Sequence, residues 1–407
     1  PSSVADESSA PEETAAPAPT ETTPPTEATT PTVAQTPTEA EAADAKRYSR
    51  ATLRCTLVDM ALDIAVLVAM AIVVGPIIDR WLARFSWLGG EQSLARLAAL
   101  GAVLTGLHSL VSLPLSYYAG FLVEHRFGLS TQSHRAWVAN WLKKSALTLV
   151  LLTILYTGLF AIIWTAGSLW WLAAAVAFFI VSAVLGQLMP VVVLPLFYKV
   201  DPLDDDAHTQ RMQSMATDAG LTIDGVYRLG MSAETTKANA MLAGIGATRR
   251  VLLGDTLLDE FTPAEIDIVF AHELGHHVHK HLPKLLAMAG ATALAGFYGC
   301  HLVLVAWTGI ADPAQWPVVV LPKVVLLLTL FSMLVGPIQN VLSRHFERQA
   351  DRYAIDRLGD VEAFRSAFLK LARMNKADLD PDPTEVFLLH SHPPIRERLQ
   401  LVGAAID

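Results

Sequence analysis

Six long apolar runs set the rhythm of the chain, at about 55–78, 95–121, 145–165, 169–198, 285–307 and 317–342. A helix needs about 20 such residues to cross a bilayer, and each run meets that length. The third and fourth are parted by a few residues around Gly167, the spacing of a tight helical hairpin. The apolar stretch from Trp81 to Leu88 is too short to span. Between the fourth and fifth runs the pattern shortens. Residues 224–229 and 249–255 read as strands and 241–245 as a third, with Gly244 and Gly246 supplying the turn. At Thr262 the period becomes helical, because Thr262-Pro263-Ala264-Glu265 supplies an N-cap, a proline at the first helical position and a glutamate at the third. The fold class expected is mostly α: a multi-span helical integral membrane protein of about six spans with an inserted small α+β domain.

Composition agrees with spans rather than with a soluble globule. The chain is 52% hydrophobic and 17% charged, with a mean hydropathy of +0.39. Its net charge of -9 is unevenly placed, since the first 45 residues hold nine Asp and Glu and no Lys or Arg. That Pro-, Thr- and Ala-rich tail cannot bury a core and is expected to be disordered. It lacks a basic segment followed by an apolar one, so no cleavable secretory signal is read there. Cys55 and Cys300 lie at or within apolar runs and imply no disulfide framework. The only long polar segment is acidic, so no nucleic-acid partner is expected.

Basic residues cluster before the first run (Lys46, Arg47, Arg50, Arg54) and between the second and third (Arg126, Arg135, Lys143, Lys144). By the positive-inside rule the tail, residues 199–284 and the C-terminal segment are expected to face the cytoplasm. Asp59, Asp63, His108, Gln187, His301, Gln339 and Asn340 lie in or beside apolar runs and are expected to face the bundle interior.

The chemistry is concentrated in His272-Glu273-Leu274-Gly275-His276. One helical turn supplies two imidazoles at i and i+4 with a carboxylate beside the first, the ligands and general base of a zinc hydrolase. A catalytic zinc needs a third protein ligand. Two spans carry the chain away and back to the same side, where Glu347 offers a carboxylate and Asp351, one turn on, can orient a ligand imidazole. The competing reading of Glu347 is an ion pair with Arg344 or Arg348. A third polar cluster, 390–399, falls on that side too and adds candidate oxyanion donors. His277 and His279 are expected to be solvated or interfacial, and His281 is open between a structural contact and a site role.

With these residues assembled, the chain resembles the type I CAAX prenyl endoprotease family of multi-span zinc metalloproteases. Residues 124–132 (Glu-His-Arg-Phe-Gly-Leu-Ser-Thr-Gln) are similar to that family's segment after its second matched span, and 194–199 to its exit from the membrane. Ala238-Asn239-Ala240 stands where the family has a Ser-Asn-Ala strand, with Lys237 and Ala238 in place of a His-Ser pair and His390 in place of an aromatic. The resemblance implies one Zn2+ per chain on His272, His276 and Glu347, with Glu273 as base. It implies His392 at the oxyanion with Arg398 near it, and Asn239 on the substrate. It also implies peptide or protein substrates, lipidated or membrane-associated. The membrane expected is a bacterial inner (plasma) membrane, with the catalytic residues facing the cytoplasm. The domains expected are a tail (1–45), a four-span membrane domain (46–200), and a zinc metallopeptidase domain (201–407) that includes the last two spans. Two other readings are a general membrane quality-control zinc protease and a non-catalytic metal-stabilised scaffold.

Overall fold

A computed structural model describes residues 36–244 and 246–403. Among these, five helical stretches are long and apolar enough to cross a membrane: Glu39–Leu82, Leu94–Arg126, His134–Phe197, His281–Thr308 and Val318–Leu358. The third has 64 residues, which at 1.5 Å per residue would be about 96 Å of straight helix. It is folded instead. Gly167, with φ of 52°, ends one helix (His134–Ala166, α3) and a single 3-10 turn starts the next (Trp170–Leu188, α4), so the hairpin expected there is present. Six apolar runs and five continuous stretches are thus the same architecture.

The first helix (Glu39–Ala69, α1) starts earlier than the acidic tail suggested. Thr38 caps it and Glu41 closes a capping box, which ordinarily contributes about 1 kcal/mol. Glu41 then pairs with Arg373 at 3.0 Å and Asp44 pairs with Lys376. Residues 39–45 are therefore helical; the rest of the expected tail, 1–35, lies outside the described residues.

The second membrane-length stretch begins with Leu94–Tyr117 (α2). Leu97 and Leu100 of α2, Phe160 and Ile163 of α3, Trp170 of α4, and Trp316 form one buried cluster. Several polar groups of the apolar runs find partners: His108 Nε2 lies 3.1 Å from Asp63, Trp170 donates to His301 at 3.1 Å, and Asn340 donates to the Leu388 carbonyl at 2.9 Å. Asp59 is exposed.

After α4 come β1 (Val200–Pro202), α5 (Asp206–Asp218), β2 (Gly225–Leu229), β3 (Ala240–Ala243) and β4 (Arg250–Gly254). The sheet order is β1-β2-β4-β3, with β2 and β4 parallel and the outer two antiparallel to their neighbours. Strand β1 escapes sequence reading because three residues ending in proline carry no alternation. Gly244, at φ of 100°, makes the turn between β3 and β4.

The capping box at Thr262 and Glu265 forms as expected and starts α6 (Pro263–Val278). Val226, Leu242, Val251 and Leu253 of the sheet share a core with Ile266, Phe270 and Leu274 of α6. Phe364 and Phe368 of α9 (Val361–Met374) complete it. The chain breaks at Lys280, in the left-handed region at φ of 55°, and the proline at 283 has no N–H to continue α6. From there α7 (His281–Thr308) leaves as a membrane-length helix. The return is α8 (Leu321–Leu358), 38 residues long and thus about 57 Å. Its first part is apolar and its last third carries Glu347 and Asp351.

Candidate active site

Two helices build the centre. The turn of α6 bearing His272 and His276 lies against the turn of α8 bearing Glu347 and Asp351, and Gly275 is what lets them meet. A Cβ there would sit 2.9 Å from Ala350 Cα and 3.2 Å from the Ala350 carbonyl oxygen. Ala350 is fully buried at that contact, and Glu347 and Asp351 flank it along α8.

The atoms that face inward are acceptors. His272 Nε2 and His276 Nε2 are 3.3 Å apart, and each is 3.3 Å from an oxygen of Glu347, Oε2 and Oε1 respectively. Glu347 Oε2 is buried without a hydrogen-bond partner. Among the described residues, these three offer ligand atoms within 4.8 Å of one another that could hold a metal ion. The donor set fits zinc: ligand atoms about 2.0–2.1 Å from a tetrahedral ion lie roughly 3.3–3.4 Å apart.

Behind the ligand atoms, His272 Nδ1 is 2.9 Å from Asp351 Oδ1, and since a carboxylate only accepts, the imidazole N–H points there and leaves Nε2 with its lone pair. With no cation present, burial pushes the His272 pKa down, but Asp351 at Nδ1 and Glu347 at Nε2 outweigh it and hold the group up at about 9; a cation at the centre would take the place of that proton on Nε2. The pocket attracts positive charge. Arg398 is buried and grips both oxygens of Asp351, through Nε at 2.8 Å and through Nη2, with its guanidinium 4.0 Å from the Phe368 ring centroid. It is 3.9 Å from Glu347 Oε2. Its geometry is that of a residue that holds Asp351. Arg344 is spent on the carbonyls of Val386 and His390, and Arg348 pairs with Glu397 at 2.5 Å, so Glu347 is not tied to either.

His392 is exposed, with Nε2 3.4 Å from Glu347 Oε1. The Ser391 hydroxyl is 3.0 Å from its Nδ1; donating there, it leaves an N–H at Nε2 facing the centre. Glu273 lies on the sheet side of α6, with Oε2 3.4 Å from the Leu242 amide of β3. Of the two expected places for His277, the solvated one is not found: the residue is half-buried and its Nε2 donates to the Leu242 carbonyl at 3.2 Å. The reason is that β3 crosses the face of α6 on which His277 sits. Asn239 is exposed at the start of β3, and its carbonyl accepts from Gly254.

Strand β3 is the sheet edge nearest the motif. Asn239 and Met241 bond inward to β4, so Ala238, Ala240 and Leu242 point their peptide groups outward. The Asn375 side chain takes both groups of Ala238, accepting from its N–H at 3.0 Å and donating to its carbonyl at 3.3 Å. With Leu242 engaged by Glu273 and His277, the open edge is centred on Ala240. Lys237, just before this edge, is bound between Glu124 (2.8 Å) and the Tyr48 hydroxyl (2.9 Å), while Tyr48 donates to Glu124 at 2.6 Å. The 128–131 segment is bonded across to 232–236, as in Thr131 N to the Glu234 carbonyl and Thr236 N to that of Leu129, both 3.1 Å. Asn375 carried no signal in the sequence, and although 124–132 and Lys237 stand out there, nothing in the sequence pairs them; both are contacts between segments more than 75 residues apart.

A membrane-embedded metalloendopeptidase is the class this fold and centre define. The chain belongs to peptidase family M48: residues 202–405 match that family and residues 21–199 match its "CAAX prenyl protease N-terminal, five membrane helices" region. It is 30% identical over 303 residues to an uncharacterized metalloprotease, YhfN, of Bacillus subtilis, covering 73% of this chain and 71% of that one. To CAAX prenyl protease 1 of Saccharomyces cerevisiae it is 27% identical over 325 residues, covering 73% and 70%. The crystal structure of S. mikatae Ste24p shares the fold with a TM-score of 0.77 over 90% of this chain and 89% of that one, at 24% identity.

Proposed function

We propose that the chain cleaves membrane-associated polypeptides, lipidated ones included, with one zinc ion held by His272, His276 and Glu347. The observation that carries this reading is the 3.3 Å triangle of two imidazole nitrogens and a carboxylate, with Glu273 beside it and an open strand edge next to Glu273. When bound, zinc supplies a Lewis acid that makes water nucleophilic near neutral pH. Glu273 takes the proton from the attacking water and returns it to the leaving amine. The Nε2–H of His392 faces the position where negative charge develops on the carbonyl oxygen. The substrate lies extended along β3, bonding at Ala240, with Asn239 at the entrance. Arg398 and Asp351 hold His272 in register. An acid-base glutamate beside the centre favours this reading over a scaffold, which does not need one.

The basic flanks at 46–54 and 126–144 support a cytoplasmic face for the centre and an inner-membrane location, with membrane and catalytic parts divided near residue 200. Glu273→Gln tests the reading: zinc content stays near one per chain while peptide cleavage falls by several orders of magnitude, roughly 10³ or more. Cleavage within a few-fold of wild type, or full zinc content in a His272→Ala, His276→Ala double variant, would overturn it.

A further inference from the structure

His272 has a carboxylate to fix its tautomer; His276 has none. Its Nδ1 faces another imidazole nitrogen, His281 Nδ1, at 3.0 Å. Two neutral imidazoles in that contact need one N–H and one lone pair, so the pair has two arrangements. In the first, His276 carries hydrogen on Nδ1 and presents a lone pair at Nε2 to the centre. In the second, His281 donates, and the His276 hydrogen sits on Nε2, aimed at Glu347 Oε1 3.3 Å away. That second arrangement satisfies the carboxylate and blocks a cation.

The far side of His281 decides between them. Its Nε2 is 2.8 Å from Gln349 Oε1, and the Gln349 amide nitrogen is 3.1 Å from His345 Nε2. With the amide so oriented, Gln349 accepts from His281 Nε2–H, His281 Nδ1 becomes an acceptor, and His276 must donate from Nδ1. The ring of His281 cannot drift from this line. It is 1% exposed and stacked on Phe346 with centroids 4.4 Å apart and planes 13° from parallel. Stacking fixes the plane of the ring, though, and not which nitrogen carries hydrogen; that choice falls to Gln349.

We propose that Gln349, acting through His281, is a positioning residue that sets the metal-binding tautomer of His276. The proposal rests on His276 being a zinc ligand. The two His ligands are then oriented by different chemistry, one by a buried carboxylate and the other by a neutral amide and imidazole in series. Lost partners of this kind typically lower metal affinity by about 10–100-fold.

The test is a double-mutant cycle on zinc affinity, measured by chelator competition on the full-length purified chain. Gln349→Met keeps length and removes the acceptor, and is expected to weaken zinc binding by about 10–100-fold. His281→Asn replaces Nδ1 with an amide oxygen that accepts from His276 without help, so in that background Gln349→Met should change affinity by less than about twofold. An equal loss in both backgrounds would overturn the proposal, as would a loss of less than about twofold in the wild-type background. So would a melting point of the metal-free protein that falls in parallel with affinity, which would assign Gln349 to packing. Absence of zinc binding by the unmutated chain is a separate result, and it removes the metal-site reading itself.

Discussion

Gly275 decides how closely the two halves of the centre approach. The two nearest atoms its missing Cβ would meet belong to the backbone of Ala350 and the third is Tyr353 Cβ, itself bonded to the backbone, so no flexible side-chain end can swing aside. Gly275→Ala should cost about 1–3 kcal/mol of stability and move Glu347 away from the imidazoles. A lowered melting point with zinc content well under one per chain is the expected result, and wild-type values for both would refute the argument. His392 makes the complementary case, an exposed residue whose proposed contribution is to turnover. His392→Ala is expected to lower kcat by roughly 10²–10³ with zinc content unchanged; steady-state kinetics beside metal analysis checks this, and an effect on KM alone would place His392 in substrate binding.

At the scale of elements, the sheet edge has ends as well as a middle. Asn375 imitates one peptide unit of an added strand and so stops pairing at Ala238, which is buried. Removing it leaves that N–H and carbonyl without partners, at about 1–3 kcal/mol. Asn375→Ala should therefore lower the melting point and let a peptide pair in more than one register, giving extra cleavage products by mass spectrometry. A single unchanged product with unchanged melting would show that Asn375 does neither. What was legible in the sequence follows the same division. The capping box at Thr262, the i, i+4 histidines and the hairpin at Gly167 are local, and covalent spacing alone sets their geometry. Asn375, Gln349 and the Tyr48–Glu124–Lys237 contact have no local pattern, because their partners are brought together only by the packed fold. The contact of His277 with the Leu242 carbonyl is hidden for the same reason: its face of α6 looks free until β3 is laid across it.

For the whole molecule, the parity of crossings matters most. Glu347 could be read as a partner of the histidines because α7 and α8 leave and return, and the two helices do bring it to them. The direction in which this unit sits is testable with single cysteines, after replacing Cys55 and Cys300. Gly90, Ser214 and Asp380 are exposed. In intact cells an impermeant thiol reagent should label Gly90→Cys, and should reach Ser214→Cys and Asp380→Cys only after lysis. Labelling of the last two from opposite sides would break the reading of a shared face.

Because α8 is continuous from Leu321 to Leu358, its apolar part and its carboxylates share one helical phase. Each inserted residue turns everything beyond it by about 100° and advances it about 1.5 Å. A one-residue insertion between Leu321 and Arg344 thus forces a conflict: either Glu347 turns off the imidazoles or the apolar face turns off its neighbours. The same insertion in the loop just after Gly309 is absorbed without rotating anything. Chain length is therefore free in that loop and quantised within the helix, where only additions of about seven residues restore the phase, and even these shift the helix about 10 Å along its axis.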